Sequence, residues 1–152
     1  SPVLLDGDTL RAGLNGDLGF SAKDRSENIR RLAEVAVHLA RNGHIAIVAA
    51  VSPSTEDRAT ARRIAGDLFR EIYIATPAEV CESRDPKGHY AKARAGNLTG
   101  FTGIGNDYQA PHASELTIDT SHRAIAEATG DITRMLARTG VLMDTVADLA
   151  AS

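Results

Sequence analysis

Apolar positions along the chain alternate between short continuous runs and stripes of helical period. Val3 to Leu5 is such a run, and Asp6-Gly7-Asp8 ends it, which predicts a buried strand whose carboxyl end opens into a loop. Ser21 followed by Asp24 resembles a capping box, and Ile29, Leu32, Ala33, Ala36, Leu39 and Ala40 then recur at helical spacing until Gly43. His44 to Val51 is a continuous β-prone run of the kind found in parallel strands covered on both faces, and Ser52-Pro53-Ser54 stops it. A second helix is predicted from about Thr55 to Gly66 with Ser54 and Asp57 at its start, then a strand from Glu71 to Ala75. Pro77 opens a short helix through Arg84. After a long gap come a strand from Glu115 to Ile118 and a helix built on Ile125, Ala128, Ile132, Met135 and Leu136, ending near Gly140.

Strands alternating with helices imply right-handed crossovers, a parallel sheet and an α/β fold of three layers with helices flanking the sheet. Ligands in such folds bind beyond the carboxyl ends of the strands. That rule singles out Asp6-Gly7-Asp8, Val51-Ser52-Pro53 and the residues after Ala75 before any chemistry is considered. The stretch from about 85 to 111 is rich in Gly, Lys, Arg, Asn and Tyr with little apolar periodicity, which predicts a mobile surface segment.

Composition narrows this picture. With 152 residues, 43% of them apolar, the chain can bury one real core, so a single domain is expected. A net charge of −3 without a Lys/Arg block argues against a nucleic-acid surface. Only Lys23, Lys87 and Lys92 of the 17 cationic residues are lysines, and the arginines suit forked contacts to phosphate or sulfate as readily as a solvated surface. Cys81 is the sole cysteine, so no intramolecular disulfide forms and a reducing cytoplasm is the expected compartment. No apolar run is long enough to span a bilayer, so no membrane partner is expected. The five histidines lack zinc-ligand spacing, and no serine sits in a G-x-S-x-G context. Gly103-Ile104-Gly105 precedes no helix, which excludes a dinucleotide fingerprint.

The remaining constellations each have two readings. Asp6 and Asp8 could order a Mg²⁺ water shell and accept a proton from an attacking hydroxyl, or simply form a strand-end turn. Arg11, Arg25 and Asn28 could hold an acidic group and an adenine edge, or belong to a solvated helix face. Arg84, Lys87, Lys92 and Arg94 lie on a segment broken by Pro86 and Gly88, as in a lid that closes over phosphates or in a charged loop. Phe101 could stack on a base or pack under that segment.

Taken together these stretches resemble one family. Leu5-Asp6-Gly7-Asp8, Gly13-Leu14-Asn15, Asp17-Leu18-Gly19-Phe20-Ser21, Asp24 through Arg31, Ser52-Pro53, Arg84 through Gly88, Lys92-Ala93-Arg94 and Phe101-Thr102-Gly103-Ile104 follow, in order, the pattern of adenylylsulfate (APS) kinases. The resemblance covers residues 1–142 as a kinase domain, with a lid at about 85–111 and residues 143–152 as a tail or linker. It implies a P-loop kinase fold, ATP and APS as substrates, Mg²⁺ as cofactor, 3′-phospho-APS as product in sulfate assimilation, a homodimer, and a sulfurylase subunit or fused domain as a candidate further partner. Asp8 then matches the acidic residue near the reacting hydroxyl and Asp6 the magnesium side, with Lys87 a third catalytic residue in the lid. Arg11, Phe20, Arg25, Asn28, Val51, Ser52, Gly88 and Phe101 match APS-binding positions, and Arg84 falls on the ATP side.

Thr9, Ser54 and His89 depart from the usual pattern, as does the looser run from Gly105 to Pro111, which leaves open a related kinase acting on another alcohol. The larger departure is that no G-x-x-x-x-G-K-[ST] occurs in the 152 residues. That loop supplies an amide cradle, a Lys and a hydroxyl to the phosphates, on a strand-helix unit of roughly thirty residues. The expectation is a piece of an active kinase lacking its N-terminal βα unit; the alternative is a non-catalytic module that binds APS.

Overall fold

A computed structural model describes residues 1–86, 88–96 and 108–141. The elements in chain order are β1 (Pro2–Asp6), α1 (Gly7–Arg11), α2 (Ala22–Arg41), β2 (Ile45–Ala49), α3 (Thr55–Ala65), a 3-10 turn (Gly66–Leu68), β3 (Ile72–Ile74), α4 (Ala78–Arg84), α5 (His89–Arg94), β4 (Leu116–Ile118) and α6 (Ile125–Arg138). They form two compact units, one of Ser1–Arg70 with Asp85–His112 and one of Glu71–Arg84 with Ala113–Ser152.

In the first unit β1 and β2 run parallel, from Pro2 opposite Ile45 to Asp6 opposite Ala49. Parallel neighbours need a long crossover, and α2 supplies it. The helix begins where the Ser21 hydroxyl oxygen accepts the Asp24 N–H at 3.1 Å, and it ends at Asn42, whose side-chain amide donates to the His38 carbonyl at 2.7 Å. Its inward stripe packs Ile29, Leu32 and Ala33 against Leu5 of β1 and Ala61 of α3. Each Leu or Ile so buried contributes roughly 1.5–3 kcal/mol.

The parallel pairing agrees with the sequence reading, but coverage of β2 on both faces does not. Ile47 and Val48 are 49% and 41% exposed, and Leu4 on the neighbouring strand is 63% exposed. Helix α2 shields one side, where Leu5 is buried, and the continuous apolar run of β2 extends past what that helix covers.

Two short helices also lie where loops were expected. Asp6 caps α1, so the chain turns into a helix directly at the strand end. Gly7 permits this, since a Cβ there would stand 3.2 Å from the Ala49 carbonyl oxygen. Within the expected lid, α5 starts at Gly88, which takes a left-handed φ of 64°. The Asp85 carboxylate accepts the N–H groups of Tyr90 at 3.2 Å and Ala91 at 3.1 Å. Burial pushes the Asp85 carboxyl upward, and the amides of Ala91, Tyr90 and His89 outweigh it, leaving it below its ordinary value. This segment has no apolar stripe to betray it, but Ala, Lys and Arg favour helix intrinsically. The rest of the expected lid, 97–107, and the tail at 143–152 lie outside the described residues.

In the second unit β3 and β4 are parallel, Ile72 opposite Leu116 through Ile74 opposite Ile118, with Ile118 fully buried. Pro77 opens α4, its carbonyl accepting the N–H groups of Val80 and Cys81. The Cys81 thiol donates to the Thr76 carbonyl at 3.7 Å, a packing role. No helix among the described residues is long and apolar enough to cross a membrane.

Candidate active site

Because Asp6 and Ala49 are register partners, β1 and β2 deliver their following residues to the same sheet edge. Asp6 is fixed there by its capping role: one carboxylate oxygen accepts the Thr9 N–H at 2.9 Å and the Thr9 hydroxyl at 3.1 Å. Asp8 sits exposed in the first turn of α1. One turn on, the Arg11 guanidinium donates to the carbonyls of Gly19 at 2.8 Å and Leu18 at 3.3 Å and lies over the Phe20 ring, 4.5 Å from its centroid. Arg25, early in α2, donates from Nε to the Phe20 carbonyl at 3.1 Å. Two guanidinium groups and a half-exposed aromatic ring thus share one corner of the first unit.

The loop from 12 to 20 is held in place by α2. The Arg31 fork bonds both carboxylate oxygens of Asp17 at 2.7 and 2.9 Å and reaches the Leu14 carbonyl at 3.2 Å. Glu27 bridges Arg30 and Arg31, at 2.8 and 2.9 Å. Hydrogen bonds from Arg30, then Arg31, hold the Glu27 carboxyl down at about 2, and the Arg31 hydrogen bond likewise lowers Asp17. Deeper, the Asn15 side-chain amide donates to the Asn28 side-chain oxygen at 2.9 Å, with Asn15 fully buried and Asn28 nearly so.

Past β2, Ser52 has a φ of 42°, in the left-handed region that a non-glycine residue enters at a cost of roughly 1–3 kcal/mol. Its hydroxyl is buried without a hydrogen-bond partner among the described residues, as is the side-chain oxygen of Asn15. Buried side-chain polar atoms in folded proteins mostly have a protein or ordered-water partner. Val51 beside it is 63% exposed.

The adenylylsulphate kinase family profile matches residues 1–119. The chain belongs to that family. It is 55% identical over 117 residues to the adenylyl-sulfate kinase of Clostridium acetobutylicum, an alignment spanning 77% of this chain and 58% of that enzyme. It is 50% identical over 139 residues to the bifunctional enzyme CysN/CysC of Mycobacterium tuberculosis, across 90% of this chain and 22% of that protein. Among solved structures, the Mycobacterium tuberculosis APS kinase CysC in complex with AMPPNP and APS superposes with a TM-score of 0.85 at 50% identity, covering 90% of this chain and 80% of that one. The fold is therefore α/β, as the strand-helix alternation implied, and that of the P-loop kinases, as the family resemblance implied.

Set against the positions marked for this family by sequence, the first unit joins Arg11, Phe20 and Arg25 at one corner, places Asp6 and Asp8 at the start of α1 just past β1 and Val51 and Ser52 past β2, and ties Asn28 on α2 to Asn15. Gly88 belongs to the same unit as the cap of α5. Arg84 lies in the second unit, where its guanidinium donates to the Thr120 hydroxyl at 3.0 Å and to the carbonyls of Thr120 and Ser121 at 2.8 and 3.1 Å. Lys87 and Phe101 fall outside the described residues.

Two residues of this site carried no role by sequence. Asn15 was visible only as part of a Gly-Leu-Asn match, and its partner is thirteen residues away. Arg58 is buried against the Ser52 turn, and nothing in a charged position on an amphipathic helix announces that. For the cation, Asp6 already has one oxygen committed to Thr9, so its chemistry suits a Mg²⁺ that arrives on nucleotide phosphates and keeps its waters, the usual habit of that ion.

Proposed function

We propose that this chain carries the acceptor site and the catalytic carboxylates of an adenylylsulfate kinase, which transfers the γ-phosphoryl group of ATP to the 3′-hydroxyl of APS, giving ADP and 3′-phospho-APS. The observation that carries the reading is the joining of Arg11, Phe20 and Arg25 at one corner, beside a strand edge holding Asp6, Asp8 and the unpaired Ser52 hydroxyl. The Phe20 ring offers a flat apolar face for adenine, and the Arg11 and Arg25 forks match the phosphate and sulfate oxygens of APS. Asn28 reads the base edge, and Ser52 with the Val51 backbone completes the pocket.

In the reaction Asp8 accepts the 3′-hydroxyl proton as that oxygen bonds to the γ-phosphorus, and the bond to ADP breaks with its electron pair leaving on ADP. Asp6 orients water toward Mg²⁺, which when bound with ATP neutralises charge on the β- and γ-phosphates. Lys87, Gly88 and Phe101 belong to the lid over APS, and Arg84 to the ATP side. We place the enzyme in the reducing cytoplasm as a homodimer; the bifunctional relative supports attachment to a sulfurylase partner.

The test is calorimetry with APS on this chain, followed by γ-phosphoryl transfer after joining it to a strand-loop-helix unit that carries G-x-x-x-x-G-K-[ST]. APS binding and transfer that Asp8→Ala lowers by roughly 100-fold or more, the range for a lost general base, are expected. Full activity in Asp8→Ala excludes the mechanism. The second reading is a module that binds APS and transfers nothing. It requires that the joined protein remain inactive while still binding APS.

A further inference from the structure

The Arg58 side chain reaches the Ser52 turn from α3. Arg58 of α3 is 8% exposed, and its guanidinium donates to the Ser52 carbonyl at 2.7 Å, the Thr55 hydroxyl at 3.2 Å and the Gln109 carbonyl. It also faces the Tyr108 ring, 5.4 Å from the centroid. Gln109 repeats the attachment, its N–H donating to the Pro53 carbonyl at 3.0 Å and its side-chain oxygen accepting the Thr55 N–H at 2.8 Å. Residues 52–55 and 108–109, more than fifty positions apart in sequence, therefore meet on one buried cation within the first unit.

A charge this buried is a costly way to stabilise a turn, because an apolar side chain would avoid desolvation altogether. The same turn carries two further costs, the left-handed φ of Ser52 and its unpaired buried hydroxyl. All three converge on keeping one hydroxyl in a position the backbone would not choose. We propose that Arg58 is a positioning residue for acceptor binding: its fork fixes the Ser52 carbonyl, and so aims the Ser52 hydroxyl at the bound acceptor, while Gln109 ties the same turn to the chain returning at 108. This rests on the reading that Ser52 touches APS.

A double-mutant cycle on APS affinity, measured by calorimetry on the full chain, separates positioning from general stability. Arg58→Met is expected to weaken APS binding roughly 10-fold or more, in the range for a lost charge-assisted hydrogen bond. Ser52→Gly removes both the hydroxyl and the cost of the left-handed φ. In that background Arg58→Met is therefore expected to change APS affinity by less than about 2-fold, the coupling that marks residues acting through one another. Gln109→Ala, which leaves the buried cation in place, should show the same background dependence with a smaller loss. Equal losses from Arg58→Met in the two backgrounds, or no loss beside Ser52, overturn the proposal. Amide exchange provides the arm that does not need ligand: the amides from 54 to 58 should exchange faster in Arg58→Met, and unchanged exchange overturns the geometry itself. If the unsubstituted chain fails to bind APS, the functional reading fails and takes this inference with it.

Discussion

Truncating either partner of the buried amide pair should give unequal losses, and the order follows from which atoms are left behind. Asn28→Ala strands the Asn15 side-chain N–H, now as unpaired as the Asn15 oxygen already is, in a site with no solvent exposure. A newly orphaned buried donor costs about 1–3 kcal/mol. Asn-to-Ala inside α2 returns roughly 0.5 kcal/mol of helix propensity, leaving a net loss of about 0.5–2.5 kcal/mol. Asn15→Ala orphans the Asn28 oxygen instead, at a similar cost, but it also deletes an oxygen that was buried without a partner, and the two effects oppose each other. Its net loss should be under about 1 kcal/mol.

The double variant sharpens the point. Adding Asn15→Ala to Asn28→Ala removes both stranded atoms, so the pair should be no less stable than Asn28→Ala alone, a non-additivity of the sign expected for direct partners. Urea denaturation followed by far-UV circular dichroism measures all three. Asn15→Ala proving the more damaging single change, or the double variant losing the sum of the two, would show that the orphaned oxygen has a partner and that the reasoning is wrong.

Two other outcomes follow from the same unit. Glu27 has a carboxyl depressed to about 2 by Arg30 and Arg31, against an ordinary value of 4.5, so its stabilisation is complete above 4.5 and is lost as pH falls through about 2. Thermal midpoints recorded across that acid window should fall less steeply in Glu27→Gln than in the parent, and an unchanged slope excludes the bridge as a contributor. Gly7→Val places a branched side chain where a Cβ already meets the Ala49 carbonyl at 3.2 Å, and should cost roughly 1–3 kcal/mol by overpacking, read as a lower urea midpoint with unchanged slope.

How far the sequence spoke depends on the range of the interaction involved. Ser21 with Asp24 and Ser54 with Asp57 are local caps, and both form as the spacing implied, because a cap is decided within three residues. The alternation of apolar runs implied parallel strands, and both observed pairs are parallel, β1 with β2 across the single helix α2 and β3 with β4 across a longer stretch. Helix α5 was hidden because its six residues carry no apolar stripe and it is set by a carboxylate at Asp85 rather than by burial. Arg11, Arg25 and Asn28 were visible as residue types, while their junction was not: Arg11 and Arg25 meet through the carbonyls of Gly19 and Phe20, which side-chain patterns never encode. Arg58 and Gln109 are the extreme case, two polar side chains fifty-one positions apart that read as surface until the fold brings them to the Ser52 turn. Backbone acceptors and left-handed turns are thus where pattern reading stops, and in this chain they are also where the candidate acceptor site begins: the strained Ser52 and the carbonyls that Arg11, Arg25 and Arg58 engage are set by the chain's path, so the chemistry follows from the fold more than from the residue types alone.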